Sequence, residues 1–206
     1  MNALRCSILC ICVLLAILAI SCSDSSVAPK ESGGEATLRI VLTDEPTDLL
    51  DSAMVTISRV YLVPGGADSA FVDLLPDTDP PMTYDLLTLQ DGVEAFLAEK
   101  PVPADSFAQL RLVVDEATVS LADGYMFRDG TTSSTLHVPS GQQSGIKVHL
   151  AEPIVVTGDS MLVVVVDFDV NDNFVIQGNP DAPAGIQGIL FTPVLKEKGR
   201  RTEDEE

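Results

Sequence analysis

The amino-acid sequence predicts an all-β domain folded as a sandwich of short strands. The composition favours strands, because Val, Leu, Ile and Thr are plentiful while aromatic residues make up only 5% and Trp is absent. β-Branched side chains are stiff and pack well on a pleated sheet. Apolar residues recur with a period of two in several runs. Turn signals rich in Gly, Pro and Asp separate these runs at intervals of roughly 8 to 12 residues, which is typical of a sandwich.

The first two strands follow from this alternation. The first has three apolar residues on one face: Leu38, Ile40 and Leu42. The apolar residues of the second occupy one phase and then the other: Ala53, Val55 and Ile57, followed by Val60 and Leu62. A β-bulge near Ser58 and Arg59 would reconcile the two phases, because one extra residue moves every later side chain to the opposite face.

Three later strands show the same pattern. One has Leu110, Leu112 and Val114 on one face, and another, residues 161–170, has Val164, Val166, Phe168 and Val170 on one face. The last covers 189–195, where Pro193 indicates an edge or a bulge. One stretch competes with the all-β prediction. Leu89, Val93, Phe96 and Leu97 have helical spacing, so one short helix near 89–97 stays open as an alternative.

The N-terminal segment predicts export and lipid attachment. All four cysteines of the chain lie in this segment: Cys6, Cys10, Cys12 and Cys22. Arg5 precedes an uncharged, mostly apolar run, residues 7–20, which is typical of a signal peptide and shorter than the about 20 residues that span a bilayer. The three residues before Cys22 resemble a bacterial lipobox. We expect cleavage before Cys22 and attachment of acyl chains such as palmitate, which would anchor the protein stably. An uncleaved anchor and a secreted protein without lipid are the alternatives.

The rest of the chain divides into three parts. Residues 22–35 are polar and rich in Ser and Gly, and they predict a flexible tether with a reach of about 20 Å. Residues 36–196 form a single domain, and the strongly charged residues 197–206 are expected to be a solvated tail. Ser23, in place of Asp after the lipid-bearing cysteine, favours the outer over the inner membrane in a cell with two membranes. The domain is therefore expected in the periplasm or at the cell surface.

The domain is strongly acidic. The whole chain has a formal net charge of −19, and residues 36–195 hold 23 acidic and 6 basic residues, a net charge of −17. Such a field repels phosphate backbones, so binding to nucleic acid is not expected. The acidity favours solubility and attracts cations.

Several segments together resemble a family known as domain of unknown function DUF4382, found in bacterial lipoproteins. The segments occur in the family's order, at 42–46, 55–60, 84–87, 89–93, 109–114, 138–147, 167–170 and 192–194. Residues 103–107 depart from it, because Asp105 and Phe107 stand where a Pro-Ala-Gly-x-Tyr turn is usual. The resemblance implies an immunoglobulin-like or transthyretin-like antiparallel β-sandwich in the cell envelope. It implies no activity.

An acidic run predicts the sharpest candidate site. Asp167, Asp169 and Asn171 supply hard oxygen ligands of the kind that Ca²⁺ prefers. A helix–loop–helix Ca²⁺ site is excluded, because Asp172 stands where the turn needs Gly and Gly178 where a bidentate Glu is required. A site in a sandwich loop, joined by Asp44 or Asp48, stays open. The simpler interpretation is that these residues lie on the solvated face of a strand.

Catalytic signatures are weak. The chain has two histidines, His137 and His149, and no nucleophile-elbow pattern. We interpret both histidines as structural or surface residues and expect no catalytic residue and no enzyme activity. Stacking aromatics for a flat sugar platform are also scarce.

The sequence therefore predicts a membrane-anchored lipoprotein of the cell envelope. Its sandwich is expected to serve as a binding, adhesion or scaffolding module without a cofactor, with the membrane and an envelope protein or glycan as partners. A calcium-stabilised binding sandwich is the second interpretation, and a hydrolase is a distant third.

Overall fold

The computed structural model describes residues 34–45, 47–66, 70–139, 144–158, 160–182 and 185–203. The predictions made for residues 1–33, including the signal peptide, Cys22 and most of the tether, lie outside these residues.

Thirteen strands occur in the described ranges, and they confirm the all-β prediction. They are β1 (Glu35–Thr43), β2 (Leu50–Pro64), β3 (Val72–Leu75), β4 (Met82–Asp85), β5 (Ala95–Pro103), β6 (Ser106–Leu121), β7 (Ser133–Leu136), β8 (Ile146–His149), β9 (Ile154–Val155), β10 (Met161–Asp167), β11 (Phe174–Gly178), β12 (Ile186–Phe191) and β13 (Leu195–Glu203). A 3-10 turn spans Leu86–Leu89, and a four-residue helix, α1, spans Val170–Asn173.

Eleven strands form one sheet that is nearly closed into a barrel. The main order is β3-β2-β6-β8-β13-β10-β1-β5, with β4 added to β2, and β7 and β9 added to β6. The two end strands approach each other: Lys100 Nζ in β5 donates a hydrogen bond of 2.9 Å to the carbonyl oxygen of Asp73 in β3. Two of the pairings, β1 with β10 and β8 with β13, are parallel, which differs from the antiparallel arrangement expected. Strands β11 and β12 form a separate two-stranded sheet.

One main core fills the inside of this sheet. The predicted inward faces are buried, including Leu38, Ile40 and Leu42 on β1, and Val164 and Val166 on β10. The alternate residues of β10 face outward, where Val163 and Val165 pack with Val41 of β1 and Met161. Strand β10 is therefore apolar on both faces, which is typical of strands that are covered on both sides, whereas the outward face of β1 is apolar only at Val41.

The bulge predicted in β2 is confirmed. Ile57 pairs with Val114 and Arg59 with Val113, so Ser58 is skipped in the pairing of β2 with β6. The hydroxyl of Ser58 instead donates a hydrogen bond of 2.8 Å to Asp115 Oδ1. The bulge moves Val60 and Leu62 to the inward face, and both are fully buried.

The helix that stayed open near 89–97 does not form. The 3-10 turn ends at Leu89, and β5 begins at Ala95. Leu97 is fully buried whereas Phe96 is 54% exposed, which is the alternation of a strand. Backbone pairing with β1, in which Phe96 lies opposite Val41, outweighs the helical spacing of the apolar residues.

The solvated tail predicted for residues 197–206 is wrong for residues 197–203. These residues belong to β13, which pairs with β10 from Met161 opposite Glu203 to Asp167 opposite Lys196. The predicted last strand over 189–195 is correspondingly interrupted at 192–194, between β12 and β13. The charged side chains of β13 form ion pairs, such as that of Arg200 with the nearly buried Glu197, and this lets a central strand have few apolar residues here.

None of the helices in the described part of the chain is long and apolar enough to cross a membrane.

Candidate functional site

The candidate site lies where two parallel strands end. Strands β1 and β10 pair from Thr37 opposite Met161 to Thr43 opposite Asp167. Because they run in the same direction, their carboxyl ends meet at one edge of the sheet. The pairing continues one step further, where the amide of Phe168 donates a hydrogen bond of 3.0 Å to the carbonyl oxygen of Thr43. We call this edge the β1–β10 junction and define it by Asp44, Asp167 and Asp169.

The α1 turn is held against the junction by its own caps. Asp169 Oδ1 accepts hydrogen bonds from the amides of Asn171 (3.0 Å) and Asp172 (3.2 Å), which is the usual role of Asp at a helix start. Asn173 is fully buried and donates through Nδ2 to the carbonyl oxygen of Asp169 at 2.7 Å, while its Oδ1 accepts from the amide of Val194. The backbone after β10 is therefore fixed from both sides.

Asp44 is the most unusual group of the junction. It is only 2% exposed, and its Oδ1 accepts a hydrogen bond of 2.8 Å from the amide of Val170. Its Oδ2 is buried and has no hydrogen-bond partner among the described residues. Burial raises the pKa of Asp44 to about 7; the amides of Val170 and Glu45 lower the pKa, and the charges of Asp169 and Asp167 raise it.

Asp167 presents a second buried oxygen. In the described structure its Oδ1 also lacks a hydrogen-bond partner. Burial raises the pKa of Asp167, the charge of Lys198 lowers it, and the charges of Glu45 and Asp169 raise it. Lys198 Nζ lies 3.9 Å from Glu45 Oε1. Lys196 Nζ lies 2.5 Å from Asp172 Oδ2, and the charges of Asp169 and Asp167 also raise the pKa of Lys196. The junction therefore concentrates negative charge, with two ammonium groups at its border.

The structure places only some of the predicted calcium ligands at the junction. Asp167 and Asp169 lie close to Asp44, whereas Asn171 is exposed on the turn and Asp48 is exposed on the loop after β1. Asp169 already uses one oxygen to cap α1. Within the described ranges, no three His, Cys, Asp or Glu side chains are grouped to hold a metal ion. The calcium prediction stays a prediction.

The sequence alone indicates Asp44 only as a side chain that could join the predicted site. The signal lies in the segment 42–46, where an acidic residue directly follows an alternating strand. Its burial depends on the parallel pairing of two strands that are more than 100 residues apart, which the local pattern does not reveal.

An apolar pocket opens on the outer face next to the junction. It has a volume of about 270 Å³ and is lined by Thr43, Gly92, Glu94, Val165, Lys198, Gly199, Arg200 and Arg201. One wall is formed by a bidentate ion pair, in which Arg201 Nη1 and Nη2 lie 2.9 and 2.7 Å from the two carboxylate oxygens of Glu94. Val165, which packs with Val41 and Val163 in the outer cluster, also lines the pocket. We call this feature the outer pocket.

The two histidines lie away from both features. His137 follows β7 and His149 ends β8, and both are exposed. Neither belongs to the junction or lines the outer pocket. Asp44 and Asp167 therefore mark the most unusual chemistry of the described chain.

Comparison with known families gives one match. The family model described as "Domain of unknown function (DUF4382)" matches residues 35–184, which is more than half of the chain. No curated protein and no solved structure matches the chain.

Proposed function

The chain belongs to the DUF4382 family, and on that premise we propose that it is a lipoprotein of the cell envelope with a β-rich binding, adhesion or scaffolding module. The module is exported, and acyl chains on Cys22 hold it at a membrane, the outer one in a cell with two membranes. The proposed role is not enzymatic.

The spacing of the sequence supports the anchor. Strand β1 begins at Glu35, 13 residues after Cys22 (35 − 22). A polar tether of that length has a typical reach of about 20 Å. It would hold the module beside the membrane surface and leave its faces free to meet a partner.

The observation that carries the binding role is the outer pocket. Val93, which stands between the lining residues Gly92 and Glu94, is 52% exposed, and Phe96, which lies on β5 opposite Val41, is 54% exposed. An exposed apolar surface around a concave site is typical of interaction sites. The residues that line the pocket include no aromatic ring. Because sugar rings usually stack on aromatic side chains, this favours an envelope protein over a glycan as the partner.

The finer architecture is also a proposal. The strands around β2 and β6 and the strands around β1 and β10 line one core from opposite sides, and β8 pairs with both groups. This supports an immunoglobulin-like or transthyretin-like sandwich in which β8 joins the two layers.

The anchor is tested by Cys22→Ala. We expect the wild-type protein in the membrane fraction, with an intact mass that matches cleavage before Cys22 plus acyl chains. The variant should move to the soluble fraction or keep its uncleaved segment without lipid. A Ser25→Ala variant serves as the control and should behave as wild type. Equal membrane retention and an unmodified mass for both proteins would contradict the lipoprotein proposal.

A further inference from the structure

We propose that a second pocket, on the outer face of β2 and β6, binds an acidic sugar residue, with the sugar ring on Phe71 and the sugar carboxylate on Arg111. The pocket has a volume of about 300 Å³ and is lined by Tyr61, Val63, Phe71, Gln109, Arg111 and Ser144. We call it the aromatic pocket. Among the described residues it shares no lining residue with the outer pocket, and its ligand differs in kind from the protein partner proposed there.

The pairing of β2 with β6 positions most of the aromatic pocket. Tyr61 lies opposite Arg111, and Val63 lies opposite Gln109. The residues that alternate with these four are buried in the core: Val60, Leu62, Leu110 and Leu112. Because successive side chains of a strand lie on opposite faces, the four lining residues are on the outer face of the sheet. Paired strands therefore hold these side chains in place.

Phe71 gives the pocket an exposed aromatic ring. Its ring centroid lies 5.3 Å from that of Tyr61, and the guanidinium carbon of Arg59 lies 4.5 Å from the Tyr61 centroid. Tyr61 is buried by its neighbours, whereas Phe71 is 57% exposed. Sugar rings usually stack on aromatic side chains. Phe71 therefore supplies the aromatic surface that the outer pocket lacks.

Arg111 is held in place by neutral acceptors. Its Nε donates a hydrogen bond of 2.9 Å to Gln109 Oε1, and its Nη1 donates one of 2.7 Å to the carbonyl oxygen of Ser144. The hydroxyl of Tyr61 donates to the same carbonyl oxygen at 2.7 Å. These bonds fix the guanidinium beside the aromatic rings and leave hydrogens on Nη1 and Nη2 for a ligand.

The charge of Arg111 has no carboxylate partner among the described residues. Four other arginines of the chain form ion pairs: Arg39, Arg59, Arg200 and Arg201. In a domain with 23 acidic residues, a fixed guanidinium without such a partner is unusual. A planar guanidinium binds a carboxylate well, through two parallel hydrogen bonds. A carboxylate on the ligand therefore completes Arg111.

The local charge is positive although the domain is acidic. None of the described lining residues is acidic, and Lys147 on β8 lies opposite Arg111. Asp73, opposite Tyr61 on β3, is paired with Arg59 at 2.6 Å. The more distant acidic residues are screened, because the Debye length is about 8 Å at physiological ionic strength. The pocket therefore favours an acidic sugar over a neutral one.

The place of the pocket in the sheet favours a compact ring over an extended peptide. Peptides often bind by adding a strand to a free sheet edge. Strands β2 and β6 are paired with other strands on both sides, so they offer no free edge here. Recognition depends on side chains and one carbonyl group. A volume of about 300 Å³ is at the lower end of ligand sites, which suits one sugar residue.

The test uses the full chain near neutral pH in a detergent without a sugar head group. Ligand-observed NMR titrations measure the dissociation constants of the methyl glycosides of glucuronic and galacturonic acid. The methyl glycosides of glucose and galactose are the neutral controls. We expect at least one acidic sugar to bind about tenfold more tightly than its neutral control, since a hydrogen bond to a charged group adds about that factor. This difference should shrink in 1 M NaCl, where the Debye length falls to about 3 Å.

Two pairs of variants locate the site. Arg111→Gln should lose the preference for the acidic sugar, whereas Arg128→Gln, at an exposed arginine outside the pocket, should keep it. Phe71→Ala should weaken binding about fivefold or more, whereas Phe96→Ala, at a similarly exposed phenylalanine, should not. Unchanged midpoints of thermal unfolding show that the variants fold.

Three results would overturn the proposal. The first is a wild type that binds neither acidic sugar, or binds acidic and neutral sugars equally. The second is unchanged binding by both Arg111→Gln and Phe71→Ala. The third is N-acetylglutamate binding as tightly as the best sugar with the same dependence on Arg111, which would assign the pocket to acidic peptides. None of these results depends on the lipid anchor or on the outer pocket.

Discussion

Asp44 Oδ1 accepts the amide hydrogen of Val170 at 2.8 Å, a contact between residues 126 positions apart in the chain. The bond joins the end of β1 to the first residue of α1, so the short turn after β10 is positioned by a side chain that directly follows the first strand. The same carboxyl group keeps its second oxygen buried and unpaired in the described structure. One residue thus fixes the junction and makes it electrostatically unusual.

The hydrogen-bonding role of Asp44 predicts a difference between two substitutions. Asp44→Ala removes the acceptor and leaves the buried amide of Val170 without a partner, so we expect a loss of about 1–3 kcal/mol in the free energy of unfolding. Asp44→Asn retains an acceptor oxygen and should lose less or gain stability. Urea unfolding in EDTA measures both. Equal losses would mean that the bond to Val170 contributes little.

The raised pKa of Asp44 predicts how stability changes with pH. Burial raises the pKa of this carboxyl from 3.8 to about 7 in the folded protein, so the folded state holds a proton that the unfolded chain has released. The resulting contribution to stability is present below about pH 4 and is lost as the pH rises through about 7. The charges of Asp169 and Asp167 strengthen the effect, and the amides of Val170 and Glu45 oppose it.

Unfolding in EDTA between pH 4 and 8 tests this expectation. The difference in stability between the wild type and Asp44→Asn should grow with pH, in favour of the variant. Comparing the two proteins removes the contributions of the other carboxylates, which are common to both. Two parallel curves would show that Asp44 does not titrate in this range.

Because β13 pairs with two other strands, we expect that removing it from the chain destabilises the fold. A chain that ends at Val194 lacks the strand that pairs with both β10 and β8, together with the fully buried Leu195. We expect it to lose cooperative thermal unfolding. A chain that ends at Glu203 keeps all of β13 and should unfold at the midpoint of the full chain. Cooperative unfolding of the shorter chain near the same midpoint would restore the interpretation of a solvated tail.

Two glycines predict opposite outcomes for the same substitution. Gly178 has a φ of +99°, and a Cβ there would lie 2.6 Å from the carbonyl oxygen of Gly185, so Gly178→Ala should destabilise by about 1–3 kcal/mol. At Gly199 a Cβ meets no atom within 4 Å, and Gly199→Ala should be neutral or stabilise by up to about 1 kcal/mol. Thermal unfolding compares the two directly. Equal midpoints would place the turn before β12 outside the folded core.

The sequence predicts a strand well where the alternation of apolar and polar residues matches the alternation of buried and exposed side chains. β1 and the two phases of β2 follow directly from it, because one face of each strand is buried and a bulge at Ser58 changes the face. The helical spacing of apolar residues near 89–97 predicts the wrong element. This segment is part of a strand because its backbone pairs with β1, and the local sequence pattern does not indicate that pairing.

The elements that the sequence does not predict depend on tertiary contacts. β13 is charged at most positions, and it is a central strand because its backbone is paired, whereas its side chains extend into ion pairs such as that of Arg201 with Glu94. The junction is not predicted either, because it also depends on strand pairing. Asp167 and Asp169 are visible as an acidic run, but only the parallel pairing of β1 with β10 brings Asp44 beside them.

The outer pocket gives the most direct test of the proposed binding role. A photo-crosslinking residue at position 96, beside the pocket, is compared in the native host with the same residue at position 123, on the exposed turn after β6. We expect one discrete adduct with an envelope protein from position 96, none from position 123, and loss of the adduct when Gly199→Leu fills the pocket. No adduct from position 96, or the same adducts from both positions and with the pocket filled, would contradict a binding module that uses this face.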